Sequence, residues 1–179
     1  MDRVVIGANG GIRFNAARII AHGDRCEPLH GRDFYVQATL TGPLGATGRV
    51  IDFRTVRDAL ARFCATYTGR ILVPLCNGAL AVTYEEDGWL VVHSSRRWTL
   101  PACDVTALEV SNPTNEVLAA LLLDAVRDAL RDDPEAGSLT GLDVTVGDVE
   151  GIAQHAEPWS PGEPWQGHVV LDQANDSRG

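Results

Sequence analysis

Two amphipathic segments set among short alternating stretches most constrain what this chain can fold into. From Arg54 to Tyr67, apolar residues fall at Val56, Leu60, Phe63 and Tyr67, spacings of three and four that place them on one helical face. The second segment starts near Asn112-Pro113-Thr114-Asn115-Glu116, where Asn or Thr can cap a helix. Its buried face is Leu118, Leu121, Leu122, Ala125, Val126 and Leu130. Ahead of the first helix, residues 3–8 and 12–20 read as a strand or hairpin interrupted by the turn signal Asn9-Gly10-Gly11. Phe34 to Gly42 alternates and is rich in β-formers. Between the helices, Ala79–Tyr84 and Trp89–His93 flank Glu85-Glu86-Asp87-Gly88, a hairpin with an Asp-Gly turn, and Arg97 to Leu100 adds a candidate strand. After the second helix Leu142 to Val146 alternates, and His168 to Leu171 offers a short last strand. This order predicts an α+β fold: an antiparallel sheet, two helices on one face, and an inserted β-hairpin between the helices.

A chain of 179 residues accommodates one domain with a sizeable core. The reading is a single domain over 1–157, with a β insertion at 75–111, and a Pro/Gly-rich tail over 158–179. No apolar run approaches the roughly 20 residues of a spanning helix. The segment Met1-Asp2-Arg3-Val4-Val5-Ile6-Gly7 lacks the layout of a secretory signal. A cytoplasmic protein without a membrane partner is therefore expected. The net charge of −9 argues against a nucleic-acid partner, which calls for a basic surface. Every cationic side chain is an arginine, so Schiff-base lysine chemistry is excluded. No dinucleotide or phosphate-loop fingerprint is present, and no cofactor is expected. The four cysteines are widely spaced and read as free thiols, with Cys64, Cys76 and Cys103 in or near the core as small hydrophobes.

The segment from Phe14 to Tyr35 carries the candidate chemistry. It contains Phe14-Asn15-Ala16-Ala17-Arg18, then Cys26, then His30-Gly31-Arg32. It resembles the opening of the 6-pyruvoyl tetrahydropterin synthase / 6-carboxytetrahydropterin synthase family, written Phe-x-Ala-Ala-His, then Cys, then His-Gly-His. Gly48-Arg49-Val50-Ile51-Asp52-Phe53 is similar to that family's lead into the first helix. Arg70-Ile71-Leu72-Val73-Pro74 is similar to the end of its Leu-Asp-His-Arg-x-Leu-x-Pro segment, and Asn112 to Glu116 to its Asn-x-Thr-x-Glu signature. The resemblance spans about Phe14 to Ala153. It implies the tunnelling fold, small-molecule lyase-type biosynthetic chemistry, and a homo-oligomer (dimer, trimer or hexamer) associating through sheet edges.

The chain departs from the family at its functional positions. The resemblance implies a zinc held by three histidines, but two of these positions carry Arg18 and Arg32 and only His30 remains. The family's catalytic Asp-His pair falls on Thr68 and Gly69. The late acidic residue that anchors the pterin falls on Asp148, with Glu150 as a competing alignment. A guanidinium cannot ligate a metal, yet it grips a carboxylate, phosphate or developing oxyanion through paired N–H donors. Arg18 and Arg32 are thus candidate substrate-binding residues, joined by Asp148 and Glu116; the plainer reading pairs the arginines with Asp24, Asp33 or Asp148.

Cys26 and His30 are the candidate catalytic residues. A thiol beside two arginines is expected to have a lowered pKa, and an imidazole is a natural proton carrier. An inherited, inert cysteine and a structural histidine are the plainer readings. His22, Cys26 and His30 form a fallback metal set at four-residue intervals, although the surrounding Gly and Pro argue for a loop. The functional expectation is a metal-independent lyase, cyclase or isomerase acting on a small polar or anionic metabolite, recruited to a specialised biosynthetic pathway. The alternative is an inactive homologue that binds a small ligand or completes an oligomer.

Overall fold

The computed structural model describes residues 1–159 except 8, 10 and 95, together with the backbone of Val170–Leu171. The chain divides into two compact units. The first comprises Met1–Phe14, Asp33–Thr66 and the described residues of Asn115–Gly167. The second comprises Asn15–Arg32, Tyr67–Thr114 and the described pair Val170–Leu171.

In the first unit, β5 (Gly31–Gly42) supplies the central strand through its residues from Asp33 onward. It pairs antiparallel with β1 (Asp2–Ile6) and with β11 (Gly141–Gly147), and β11 pairs in turn with β12 (Ile152–Pro158). The register sets Val36 against Val146, Ala38 against Val144 and Leu40 against Leu142, all six buried. A one-residue slip would turn this apolar row outward, so the hydrophobic pattern itself fixes the pairing. Two helices complete the unit: α1 (Phe53–Tyr67, within the unit up to Thr66) and α2 (Asn115–Leu130). α1 buries Val56, Ala59, Leu60, Phe63 and Cys64; α2 buries Leu118, Leu121, Leu122, Leu123, Val126 and Leu130. Phe14 stacks on Phe34 at 4.7 Å and meets Phe63 edge-on at 6.1 Å.

In the second unit, β2 (Ile12–Arg18) enters at Asn15 and runs parallel to β6 (Arg70–Pro74), which runs parallel to β10 (Val105–Leu108). The short β13 (Val170–Leu171) pairs antiparallel with β10. The sheet is therefore mixed, not purely antiparallel, because the segments between these strands are long crossovers and not tight turns. β3 (Ala21–His22) and β4 (Arg25–Cys26) form a two-pair hairpin. β7 (Ala81–Glu85), β8 (Gly88–His93) and β9 (Arg96–Pro101) form a separate three-stranded antiparallel sheet. Trp89, Val91 and His93 alternate to its buried face. The expected Asp-Gly turn shifts by one residue. Glu86 and Asp87 make the turn, and Gly88 lies in the strand, where a Cβ would come within 2.6 Å of the Leu100 carbonyl oxygen.

Of the cysteines expected in the core, only Cys64 is buried. Burial pushes its thiol up to about 11. Cys76 and Cys103 are exposed on connections between strands, where the Cys76 N–H bonds the Val110 carbonyl and the Cys103 thiol donates to Asp104. The Pro/Gly-rich tail lies outside the described residues beyond Trp159, apart from β13, which falls within the short last strand expected there. Among the described residues no helix is long and apolar enough to cross a membrane.

Candidate active site

Arg18 ends β2 and Arg32 lies near the start of β5, strands that are neighbours in the sheet. Alternation sets Arg18 on the same strand face as Phe14 and Ala16, and Arg32 on the same face as Phe34 and Val36. Because Phe14 stacks on Phe34, the two arginines share one face of the strand pair. Both are half-buried, and one Nη of Arg18 donates to the Pro113 carbonyl at 3.3 Å. An arginine on an otherwise apolar strand face carries a charge that is costly to desolvate, so its guanidinium must be satisfied by partners or ligand.

Cys26 lies on β4, opposite Ala21. It packs against a buried cluster that includes Ile19, Val73, Trp89 and Val91. Its thiol points to the Glu27 carbonyl at 3.6 Å. The arginine whose charge acts on Sγ is Arg96 of β9, which donates to the same Glu27 carbonyl at 2.9 Å. The expected depression of the Cys26 pKa is not found. Burial pushes it above the ordinary thiol value, Arg96 pulls it part of the way back, and Glu27 adds a smaller upward push. At neutral pH the group is a protonated thiol, a proton donor and not a ready-made thiolate.

His30 is exposed, and its Nδ1–H donates to the Pro28 carbonyl at 2.7 Å, since a carbonyl can only accept. That tautomer leaves Nε2 with a free lone pair for proton transfer. His22 sits at the exposed end of the β3–β4 hairpin, opposite Arg25. Gly23, in the turn between them, has φ +57°, the left-handed value a tight hairpin favours. The helical spacing that could have joined His22, Cys26 and His30 is thus absent. Among the described residues no three His, Cys, Asp or Glu side chains are grouped to hold a metal ion.

Asp148 and Glu116 lie in the first unit. Asp148 is buried at the β11–β12 turn, where its Oδ1 accepts the backbone N–H of Glu150 and of Gly151, each at 2.9 Å. Glu150, the competing candidate, is exposed in that turn. Asn115 donates to the Gly151 carbonyl at 3.2 Å, which brings the first turn of α2, with exposed Glu116, to the same place.

Sequence reasoning passed over the residues that hold the Cys26 segment. Asn112 is buried. It does not cap α2, which begins at Asn115; its amide instead pairs with Ala21 in both directions, Oδ1 accepting the Ala21 N–H and Nδ2 donating to the Ala21 carbonyl, each at 3.0 Å. Asn77 adds donors to Ala21, Ser111 and Asn112. His93, only 3% exposed, donates Nε2–H to the Gly23 carbonyl at 2.8 Å. Arg96 is exposed on β9, an outer strand of the three-stranded sheet.

Thr68 and Gly69, onto which the resemblance places an Asp-His pair, link α1 to β6. Gly69 has φ +73°, and its N–H bonds to both the backbone and the side-chain oxygen of Asn15. A groove of about 680 Å³ in the first unit, lined by Arg3, Arg49, Asp52 and Arg54 among others, contains none of the candidate residues. Its cations pair with Asp143, Glu135 and Asp52.

The sequence profile of the 6-pyruvoyl tetrahydropterin synthase family matches residues 10–149. The chain belongs to that family. A relative in Methanocaldococcus jannaschii, named "Putative 6-carboxy-5,6,7,8-tetrahydropterin synthase", is 22% identical over 151 residues, covering 84% of this chain and 91% of the relative. The fold matches the 6-pyruvoyl tetrahydropterin synthase of Plasmodium vivax with a TM-score of 0.81 at 20% identity, over 88% of this chain and 98% of that one. The Plasmodium falciparum 6-pyruvoyl tetrahydropterin synthase gives the same TM-score at 17% identity and the same coverage. The tunnelling fold and the α+β class expected from sequence are those of the molecule.

Membership sharpens the metal question. A zinc held in the family's manner would need nitrogen donors at positions 18, 30 and 32. Two of those positions present guanidinium groups, which have no lone pair to give and would repel a dication. The residues present do not fit the ion.

Proposed function

We propose that this chain is a metal-independent enzyme of lyase, cyclase or isomerase type acting on a small polar or anionic metabolite. The observation that carries the reading is the placement of Arg18 and Arg32 on one face of neighbouring strands, where the family resemblance implies the metal. Two fixed positive charges there do the electrostatic work of a Lewis acid toward a carbonyl or carboxylate oxygen. In the proton chemistry that follows, His30 Nε2 takes the proton next to a substrate carbonyl, the C–H electron pair becomes a carbon–carbon double bond, and the carbonyl π pair moves onto its oxygen. The arginines hold that oxyanion. Cys26 then delivers its thiol proton to carbon, and the His30 imidazolium returns a proton to the thiolate, so the enzyme ends as it began. The outer edge of β12 supports association of copies through sheet edges, and a biosynthetic role follows from the relatives' names.

Calorimetric titration with pyruvate and with a pterin carboxylate, on wild type and on Arg18→Gln and Arg32→Gln, tests the binding step. Each substitution is expected to weaken binding at least tenfold. Equal affinity in wild type and both variants would overturn the arginine assignment.

One observation favours the non-catalytic alternative: the upward shift of the Cys26 thiol, which an unused, partly buried cysteine would also show. Turnover that survives Cys26→Ser and His30→Gln would remove these two residues from the chemistry.

A further inference from the structure

The three-stranded sheet β7–β9 touches the chemical segment at two separate points. At one end of the β3–β4 hairpin, buried His93 donates to the Gly23 carbonyl at 2.8 Å. At the other, Arg96 donates to the Glu27 carbonyl at 2.9 Å, the same oxygen toward which the Cys26 thiol points. Between these points Cys26, Leu29 and Trp98 pack against a cluster built around Trp89, Val91 and Leu100 of that sheet and Ile19 of the chemical segment. A hairpin of only two residue pairs has little stability of its own. Its position is therefore set by what grips it, this sheet at two points and the Asn112 and Asn77 amides at Ala21.

We propose that this sheet is the positioning element of the site, and that Arg96 is a positioning residue which fixes the Cys26 segment and takes up the sulfur's negative charge once its proton has left. The inference rests on the reading of Cys26 as a working proton donor. Each time the thiol gives up its proton, a thiolate is left in an apolar surrounding that disfavours it. The charged groups facing it are Arg96, which stabilises the anion, and Glu27, which opposes it; the cluster it packs against carries no charge. Arg96 thus offsets part of the burial penalty at the moment of proton transfer, as the cation that faces the sulfur among the described residues. The lost Asp-His pair leaves the family's own proton machinery incomplete, and the sheet brings a charged partner from 69 residues further along the chain.

The test is the pH dependence of Cys26 alkylation by iodoacetamide, followed peptide by peptide by mass spectrometry on the full chain. Exposed Cys103 serves as the internal reference. In Arg96→Ala the Cys26 midpoint is expected to rise by at least about half a pH unit, a roughly threefold loss of thiolate at a given pH below it. The Cys103 midpoint should stay put. Arg96→Lys should recover most of the shift, because it keeps the charge; Arg96→Gln, which loses it, stands in if the alanine variant folds poorly. An unmoved Cys26 midpoint in the variant that lacks the charge would overturn the proposal. This readout needs no substrate, so it is separate from failure of the enzymatic reading, which shows as turnover indifferent to Cys26→Ser.

Discussion

The two units of this molecule are held together by different physics. The first is a ladder of alternating apolar residues closed by two amphipathic helices, and its contacts repeat with the period of the element that makes them. The second carries the chemical segment as a short hairpin with little regular pairing, held by single polar clasps from Asn112, His93 and Arg96. The lesson is that a scaffold can rest on redundant burial, whereas a reactive segment is placed by a few irreplaceable hydrogen bonds.

The comparison breaks first at the scaffold. Leu122 is fully buried on α2, so Leu122→Ala should cost about 2–5 kcal/mol through lost transfer energy and a residual cavity. Urea unfolding followed by circular dichroism measures it. A change below 1 kcal/mol would mean that the helix face is not what holds the first unit.

The clasp is the next test. Asn112→Ala removes the side-chain acceptor of the buried Ala21 N–H and one of the two amide donors to its carbonyl, the other being Asn77, at a cost of about 1–3 kcal/mol. Its signature should be local. Hydrogen exchange at Ala21 and across residues 19–26 should accelerate more than exchange in β5 or β11. Uniform acceleration over the whole chain would erase the distinction between the two units.

The smallest effect is electrostatic and exposed. Asp52 accepts the Arg54 N–H as a cap of α1, and Arg54's guanidinium, followed by that backbone bond, holds its carboxyl well below the usual range. Arg49 holds Glu135 below its ordinary value in the same way, and Glu135 accepts the Asp52 N–H at 2.7 Å. Both carboxyls ionise more readily folded than unfolded. Their contribution is therefore complete above the ordinary carboxylate range and is lost as pH falls through and below it. Thermal melts from pH 6 to pH 3 should show a shallower loss of Tm in Asp52→Asn than in wild type. Parallel slopes would remove the pair from the acid response.

Much of the scaffold was legible because its signals are local. The alternation of β5 and β11 and the three-and-four spacing of α1 each state an element and its buried face within one stretch of sequence. β10 and β12 were not legible. Val105-Thr106-Ala107-Leu108 is buried throughout and shows no period, while β12 buries only Ala153 and depends on its pairing with β11. The candidate site divides the same way. Arg18, Cys26, His30 and Arg32 could be read from their spacing against a family pattern. Arg96 and His93 could not, because their partners lie 69 and 70 residues away and no local periodicity encodes that distance.

By itself the sequence determined the fold class, the family and the chemical type of the groups at positions 18, 26, 30 and 32, since each is written in residue type and short-range spacing. Only the tertiary structure decided what those groups face. Cys26 met burial and Arg96 where two flanking arginines were expected, and its pKa rose where a fall was expected. The reason is physical: a side chain's charge is fixed by its chemistry, but its dielectric surroundings and nearest counter-charge are set by which distant strands fold against it.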